Sequence, residues 1–383
     1  MRIAFLSTFY PFRGGIAQFN ADLLEEFGKG HEVKAFTFTR QYPSFLFPGK
    51  TQYVTEKDNA KKVDSEAVLD TVNPFSWFSS ARKIASWKPD LVVMKYWMSY
   101  LAPSLGTVAR LLRKRGITVI TVLDNVIPIE AKFFDKPFSR WFLKQNSGCI
   151  AMSEAVLRDM LSLTPDKPYI LQPHPLYDHF GGRIDRQEAQ QALGLDPSLR
   201  TLLFFGLIRD YKGLDLLIDA MPLLGPQYQL VIAGESYGSF EKYEAQIAAS
   251  GCSDRIKVFN RYIDDDEVPR FFSAADICVL PYKSATQSGI TAIALHFEVP
   301  VVATPVGGLA ESVERPGIGL MTPEISAESL AKTIPLLYER GLDSFAVNIR
   351  SVKKEMTWSV FAEKILYLQN RLVMSSKAPS ATL

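Results

Sequence analysis

The sequence predicts an α/β chain of two tandem domains, each built on a parallel sheet covered by helices. Three observations predict it. Runs of consecutive apolar residues, such as Leu202 to Phe205, recur without alternation and read as strands buried on both faces. Between them lie segments with apolar residues at spacings of three and four, the helical period. The alternation pauses at a charged, glycine-containing stretch, Asp178 to Arg186, and then restarts. A chain of 383 residues also exceeds one ordinary core. The expected division is residues 1–180 and 183–356, followed by a last helix over 358–375.

The bulk numbers exclude several classes. A net charge of +2 gives no overall nucleic-acid footprint, and no nucleic-acid partner is expected. The three cysteines, Cys149, Cys252 and Cys278, are scattered without metal spacing or a disulfide framework. No stretch of about 18 uninterrupted apolar residues occurs, and the first strand follows directly on Met1. These observations lead to the expectation of a cytoplasmic protein.

Taken in order, Arg2 to Thr8 is the first buried strand. It runs through Gly14-Gly15 into a helix beginning near Ala17, a turn that lets backbone amides approach a ligand closely. A tight turn with no ligand is the alternative there, and the dinucleotide fingerprint Gly-x-Gly-x-x-Gly is absent. His31 to Thr39 is the second strand, and residues 40–75 read as irregular. A helix over Trp77 to Trp87 precedes a strand, Pro89 to Trp97, that ends in aromatics. The next helix closes on Arg113, Lys114 and Arg115 before Gly116, a good helix stop. Ile117 to Leu123 is a further strand, and it delivers Asp124 and Asn125 to a strand's carboxyl end.

Lys132 to Lys144 packs four Phe, one Trp and four Lys or Arg into thirteen residues. It reads either as a peripheral membrane contact, with aromatics at headgroup level and cations on anionic lipid, or as a core-facing helix with a solvated rim. Gly148 to Ser153 is a strand followed by a helix from Glu154, and Tyr169 to Pro175 leads to the linker.

In the second half, the strand ending at Phe205 meets Gly206, then Arg209 and Lys212, then a helix from about Gly213 whose Leu214, Leu217, Ile218 and Met221 share a face. Two cations at a strand's carboxyl end beside a helix N-terminus are arranged to meet an anion. Further strands are expected at Gln229 to Ala233, Ile256 to Phe259, Asp276 to Leu280 and Val299 to Thr304. The acidic run Asp264 to Glu267 reads as capping of the helix that follows, in preference to a metal site. The turns at Gln287-Ser288-Gly289 and Gly307-Gly308 present small or amide residues to helix starts.

Phe-Gly-Leu-Ile-Arg-x-Tyr-Lys-Gly from Phe205, Ala-Ala-Asp-Ile-Cys-Val-Leu-Pro-Tyr from Ala274, and Pro-Val-Val-Ala-Thr-x-Val-Gly-Gly-Leu-x-Glu from Pro300 together resemble the retaining GT-B glycosyltransferases of the GT4 family. The resemblance covers nearly the whole chain and is most specific from Leu203 to Glu311. It implies two Rossmann-like domains facing a cleft, with the C-terminal helix crossing back to the first domain. It also implies a hexosyltransferase acting with retention in polysaccharide or glycoconjugate biosynthesis, without a metal or other cofactor. The second domain would bind a nucleoside diphosphate sugar, and the first a saccharide or lipid-linked saccharide acceptor. Arg209 and Lys212 match the basic pair that holds the donor diphosphate, with Gly206 beside them. Gly14 and Gly15 match the loop near the phosphates, and Arg261, Tyr262 and Ile263 lie where backbone meets the nucleobase. Gln287, Ser288 and Gly289 would offer amides to the phosphate, and Tyr96 and Asn125 would meet the acceptor.

Two departures accompany the match. Ala285 and Ile293 stand where most members carry a pair of glutamates, and a Thr-Gln-Ser-Gly subset resembles this form. Asp124 stands where a histidine is expected near the transferred sugar, and it is the candidate for orienting sugar or acceptor beside Arg209 and Lys212. Three other functions share the nucleotide-binding step: a catalytically weak partner in an assembly complex, a sugar-nucleotide epimerase, and a nucleotide-binding regulator.

Overall fold

The computed structural model describes residues 1–12, 14–43, 52–54, 61–128, 132–176, 180–236, 238–285 and 288–377. Two compact units divide the chain: Met1–Pro175 with Trp358–Leu383, and Leu176–Thr357.

Unit 1 holds strands β1 (Arg2–Leu6), β2 (Glu32–Arg40), β3 (Ser65–Asp70), β4 (Leu91–Tyr96), β5 (Thr118–Leu123), β6 (Gly148–Ala151) and β7 (Tyr169–Leu171). They form one sheet in the order β3-β2-β1-β4-β5-β6-β7, with every pairing parallel. The connecting helices are α1 (Gly15–Gly28), α2 (Pro74–Ser86), α3 (Ala102–Arg113), α4 (Asp135–Gln145) and α5 (Glu154–Leu163). Strand β4 is buried along its whole length, as a central parallel strand must be. Strand β3 lies inside the stretch expected to be irregular. Its sequence, Ser-Glu-Ala-Val-Leu-Asp, carries only one fully buried side chain, Leu69, because an edge strand of mixed polarity has a single neighbour to cover it.

Unit 2 opens with α6 (Arg186–Ala192) and holds β8 (Arg200–Phe205), β9 (Tyr228–Ala233), β10 (Ile256–Phe259), β11 (Ile277–Leu280), β12 (Val301–Ala303) and β13 (Gly319–Met321). The order is β10-β9-β8-β11-β12-β13, again parallel throughout. Its other helices are α7 (Leu214–Ala220), α8 (Glu241–Ala249), α9 (Val268–Ala274), α10 (Gly289–His296), α11 (Leu309–Val313), α12 (Ala327–Arg340) and α13 (Leu342–Glu355). The sequence reading had no counterpart for α6, β13, α12 or α13. The apolar face of α7 is as expected, with Leu214, Leu217, Ile218 and Met221 fully buried.

The last helix, α14 (Trp358–Lys377), belongs to unit 1. Trp358, Phe361, Ile365 and Leu368 pack with Phe19, Leu23, Ile120 and Ile150 in one apolar cluster. Both ends of the chain thus contribute to the unit 1 core. Residues 378–383, read from sequence as a polar tail, lie outside the described residues.

Candidate functional site

Each sheet has a point where strand order reverses, between β1 and β4 in unit 1 and between β8 and β11 in unit 2. Connections leave such a point in opposite directions, and the crevice they open at the carboxyl ends of the strands is where open α/β sheets take ligands. Most of the residues singled out from sequence lie at one or other of these two edges.

In unit 2, β8 delivers Gly206 to the edge with φ at 98°, a left-handed value open mainly to glycine. The chain passes through a single 3-10 turn, Asp210–Lys212, into Gly213, also left-handed at 66°. A Cβ on Gly213 would run into the Pro281 carbonyl, so this turn and the one after β11 touch backbone to backbone. Lys283 laces them further, its amide donating to the Tyr211 carbonyl at 2.7 Å and its ammonium to Asp215 at 2.6 Å. Lys212 is thereby turned over the sheet edge. Its Nζ lies 5.3 Å from the centre of the Tyr282 ring and near the backbone of Gly206. The Tyr282 hydroxyl is 3.0 Å from Ser288 Oγ at the start of α10. Gly206, Lys212, Tyr282 and Ser288 therefore form one continuous cluster, with Gly289 opening α10 beside it.

Burial pulls the Lys212 ammonium below its usual pKa, and the Arg209 charge adds to that, outweighing the nearby Cys278. Among the described residues no carboxylate pairs with Lys212, and a partly desolvated cation of this kind gains from an arriving anion. Arg209 is exposed and so acts in higher dielectric. The amides at the start of α7 were expected to share this work, but α7 has only seven residues. The eight-residue α10 begins instead at Gly289, directly after Ser288. Gln287 lies outside the described residues.

At the end of β10, Arg261 makes a two-pronged ion pair with Glu267, both contacts at 2.6 Å. That corrects the reading of Glu267 as a helix cap: its carboxylate is taken up by Arg261, and no side chain caps α9. Tyr262 is exposed and Ile263 is buried, so this corner offers a ring and backbone at its surface. Ala285 and Ile293 both pack on the unit 2 core. Among the described residues, no group of three or more His, Cys, Asp or Glu side chains is placed to hold a metal ion.

In unit 1, Gly14 and Gly15 are exposed at the start of α1, with Gly14 at φ 106°. Across the reversal point stands a residue the sequence reading missed. Lys95, the fifth residue of β4, is 2% exposed and its Nζ lies 2.8 Å from Asp124 Oδ1. The Asp124 amide donates to the Tyr96 carbonyl at 2.9 Å, extending the β4–β5 ladder by one residue and fixing Asp124 beside Lys95. His174, just after β7, completes the group. Its burial first, and the Lys95 charge next, lower its pKa to about 4, although the Pro175 carbonyl accepts from its ring. Asn125 follows Asp124 and is partly exposed.

Tyr96 requires a correction. Side chains alternate along a strand, so Tyr96 points away from Lys95. It is fully buried, stacked on Phe142 at 4.2 Å, and its hydroxyl meets Ser139 at 2.8 Å. It is a core residue with nothing to offer an acceptor. The aromatics that reach this edge are its neighbours: Trp97 Nε1 donates to the Tyr42 hydroxyl at 2.6 Å, and Tyr42 stacks with Tyr100 at 6.2 Å.

The aromatic-basic segment has a buried side and an exposed side. Phe142 and Leu143 of α4 are buried and Trp141 packs on the core, whereas Phe133 is 94% and Phe138 40% exposed, among the exposed Lys132, Lys136 and Arg140. No described helix is long and apolar enough to cross a membrane.

Comparison with known proteins adds a partial family match and a fold. Residues 199–340 match the family model described as Glycosyl transferases group 1, a span that contains the whole unit 2 cluster. The lipopolysaccharide core biosynthesis mannosyltransferase LpsB of Rhizobium meliloti is 34% identical over 138 residues, 34% of this chain and 38% of that one. The GDP-mannose:glycolipid 4-beta-D-mannosyltransferase of Xanthomonas campestris is 28% identical over 270 residues, 66% of this chain and 72% of that one. Among solved structures, Anabaena HepE in complex with UDP superposes with a TM-score of 0.67 at 17% identity, covering 98% of this chain and 100% of that one. The architecture of two Rossmann-like units is the one found in GT-B glycosyltransferases.

Proposed function

We propose that this chain is a retaining glycosyltransferase that moves a hexose from a nucleoside diphosphate sugar to a saccharide or lipid-linked saccharide, in glycan or lipopolysaccharide-type biosynthesis. The observation that carries the reading is the partly buried ammonium of Lys212 at the unit 2 reversal point, beside Gly206, Tyr282 and Ser288. The family match over 199–340 and the sugar-transferring relatives support it.

In the proposed reaction an acceptor hydroxyl forms a bond to the anomeric carbon as the bond from that carbon to the diphosphate breaks. The hydroxyl proton leaves with the diphosphate on the same face, which retains configuration. The transition state resembles an oxocarbenium ion while negative charge grows on the leaving group. Lys212, Arg209 and the amides at Ser288 and Gly289 meet that charge. Each well-placed donor contributes about 3 kcal/mol. Arg261, Tyr262 and Ile263 contact the nucleobase, and Asp124 with Asn125 orients the acceptor or the donor sugar. No metal ion has a step in this scheme, so transfer should persist in excess EDTA. The exposed Phe133 and Phe138 among cations suit a glycolipid acceptor presented at an anionic membrane face.

A thermal-shift screen of UDP-, GDP- and ADP-sugars on the wild type and on Lys212→Ala tests the reading. The wild type should be stabilised by one nucleotide class and the variant by none. A melting temperature unmoved by every nucleotide would overturn the donor site. A second reading, a nucleotide-sugar-binding partner of weak activity, is favoured by Ala285 and Ile293, whose apolar side chains leave no carboxylate for the ribose at those positions. Donor hydrolysis without and with acceptor separates the two.

A further inference from the structure

We propose that Lys95 is a positioning residue for transfer: it turns Asp124 so that one carboxylate oxygen faces the protein interior and the other is left for a hydroxyl of the incoming saccharide. This rests on the transferase reading above.

The geometry is asymmetric. The Lys95 side chain is 3% exposed and that of Asp124 23%, so the pair spans the boundary between core and solvent. Lys95 Nζ sits 3.2 Å from the centre of the Phe19 ring, 4.0 Å from Met152 Sδ and 2.8 Å from Asp124 Oδ1. Among the described residues Asp124 is its one carboxylate, and Asp124 Oδ2 has no hydrogen-bond partner. Burying an ammonium costs several kcal/mol unless it is paired, and an apolar residue fills such a space at lower cost. Neighbouring β4 residues Val92, Val93 and Met94 show how readily this strand is made apolar. A buried lysine whose partner is the only half-exposed member of the pair is therefore best accounted for by what it does to that partner's outer oxygen.

The charged and titratable groups facing the pair are few. Lys95 comes from β4, Asp124 from the end of β5 and His174 from beyond β7, while α1 contributes the Phe19 ring and the end of β6 the Met152 sulfur. With its pKa near 4, His174 stays neutral through the ordinary assay range. Losing the ammonium would leave the Asp124 carboxylate without its inner partner.

The test measures release of nucleoside diphosphate from whichever UDP-, GDP- or ADP-hexose the wild type turns over, between pH 5 and 9, in wild type, Lys95→Met, Lys95→Arg, Asp124→Asn and the Lys95→Met, Asp124→Asn double variant. Lys95→Met should lower kcat about 100-fold, and Lys95→Arg, which keeps a cation beside Asp124, should recover part of that loss. Nucleotide Kd, a property of unit 2, should stay within about twofold of wild type. Because Asp124→Asn strands a buried charge, the double variant keeps the question open to measurement. It should fold at least as well as Asp124→Asn alone and be no more active. A Lys95→Met or double variant with wild-type kcat would overturn the inference alone. A wild type that binds nucleotide yet turns over no donor would overturn the transferase reading together with it.

Discussion

Lys212 sits in a surrounding that disfavours its charge, and that has a consequence for both activity and stability. Lys212→Ala should reduce kcat by 100-fold or more, on the order of the loss of one preorganised donor. Urea unfolding should show little stability loss, because the ammonium is already disfavoured by burial. Arg209→Ala should cost less, since Arg209 is exposed and its charge is screened. His174 makes a prediction of opposite kind. Its folded pKa of about 4 lies below the ordinary 6.5, so the unfolded chain takes up a proton first as pH falls. The stability it leaves intact above pH ~6.5 should decline between ~6.5 and ~4, by up to about 3 kcal/mol, and His174→Gln should flatten that part of the curve. Sequence alone flagged Asp124, because a polar residue ending a buried run stands out at a strand's carboxyl end. Lys95 was legible by the same logic, as a charge inside the apolar run from Leu91 to Tyr96, but the run as a whole hid it. The choice of Tyr96 went wrong because a run buried on both faces gives no sign of which side each residue points to.

Among elements, the paired turns after β8 and β11 depend on Gly213. Gly213→Ala meets both a left-handed backbone and the Pro281 carbonyl, so it should destabilise unit 2 by at least about 1–3 kcal/mol and weaken nucleotide binding together with it. Denaturant unfolding with calorimetry of nucleotide binding checks both. On α4, Phe133→Ser with Phe138→Ser should reduce co-sedimentation with phosphatidylglycerol vesicles and leave nucleotide affinity unchanged; equal co-sedimentation would remove the membrane contact from the proposal. The strands that sequence made legible are mostly those buried on both faces, where the apolar run is unbroken, although β10, an edge strand with two exposed residues, was legible as well. Strands β3 and β13 were missed because they lie at sheet edges or are only three residues long. Helices α12 and α13 have good apolar faces, yet they lie beyond the family-like motifs on which the second half was read.

At the level of the whole molecule, unit 1 is discontinuous. Deleting residues 358–383 removes Trp358, Phe361, Ile365 and Leu368 from its core. The truncated chain should lose the unfolding transition of unit 1 and keep that of unit 2, which differential scanning calorimetry would resolve. The return of the last helix to the first domain was implied by family resemblance, whereas its apolar spacing gave only the helix itself.

The same helix sets an order of events during synthesis. On the ribosome, residues 176–357 emerge complete before α14 has been translated. The half that begins first must therefore wait, its sheet partly uncovered, until α14 has been translated and clears the exit tunnel. Nascent chains stalled short of Trp358 should be engaged by chaperones at unit 1 and not at unit 2.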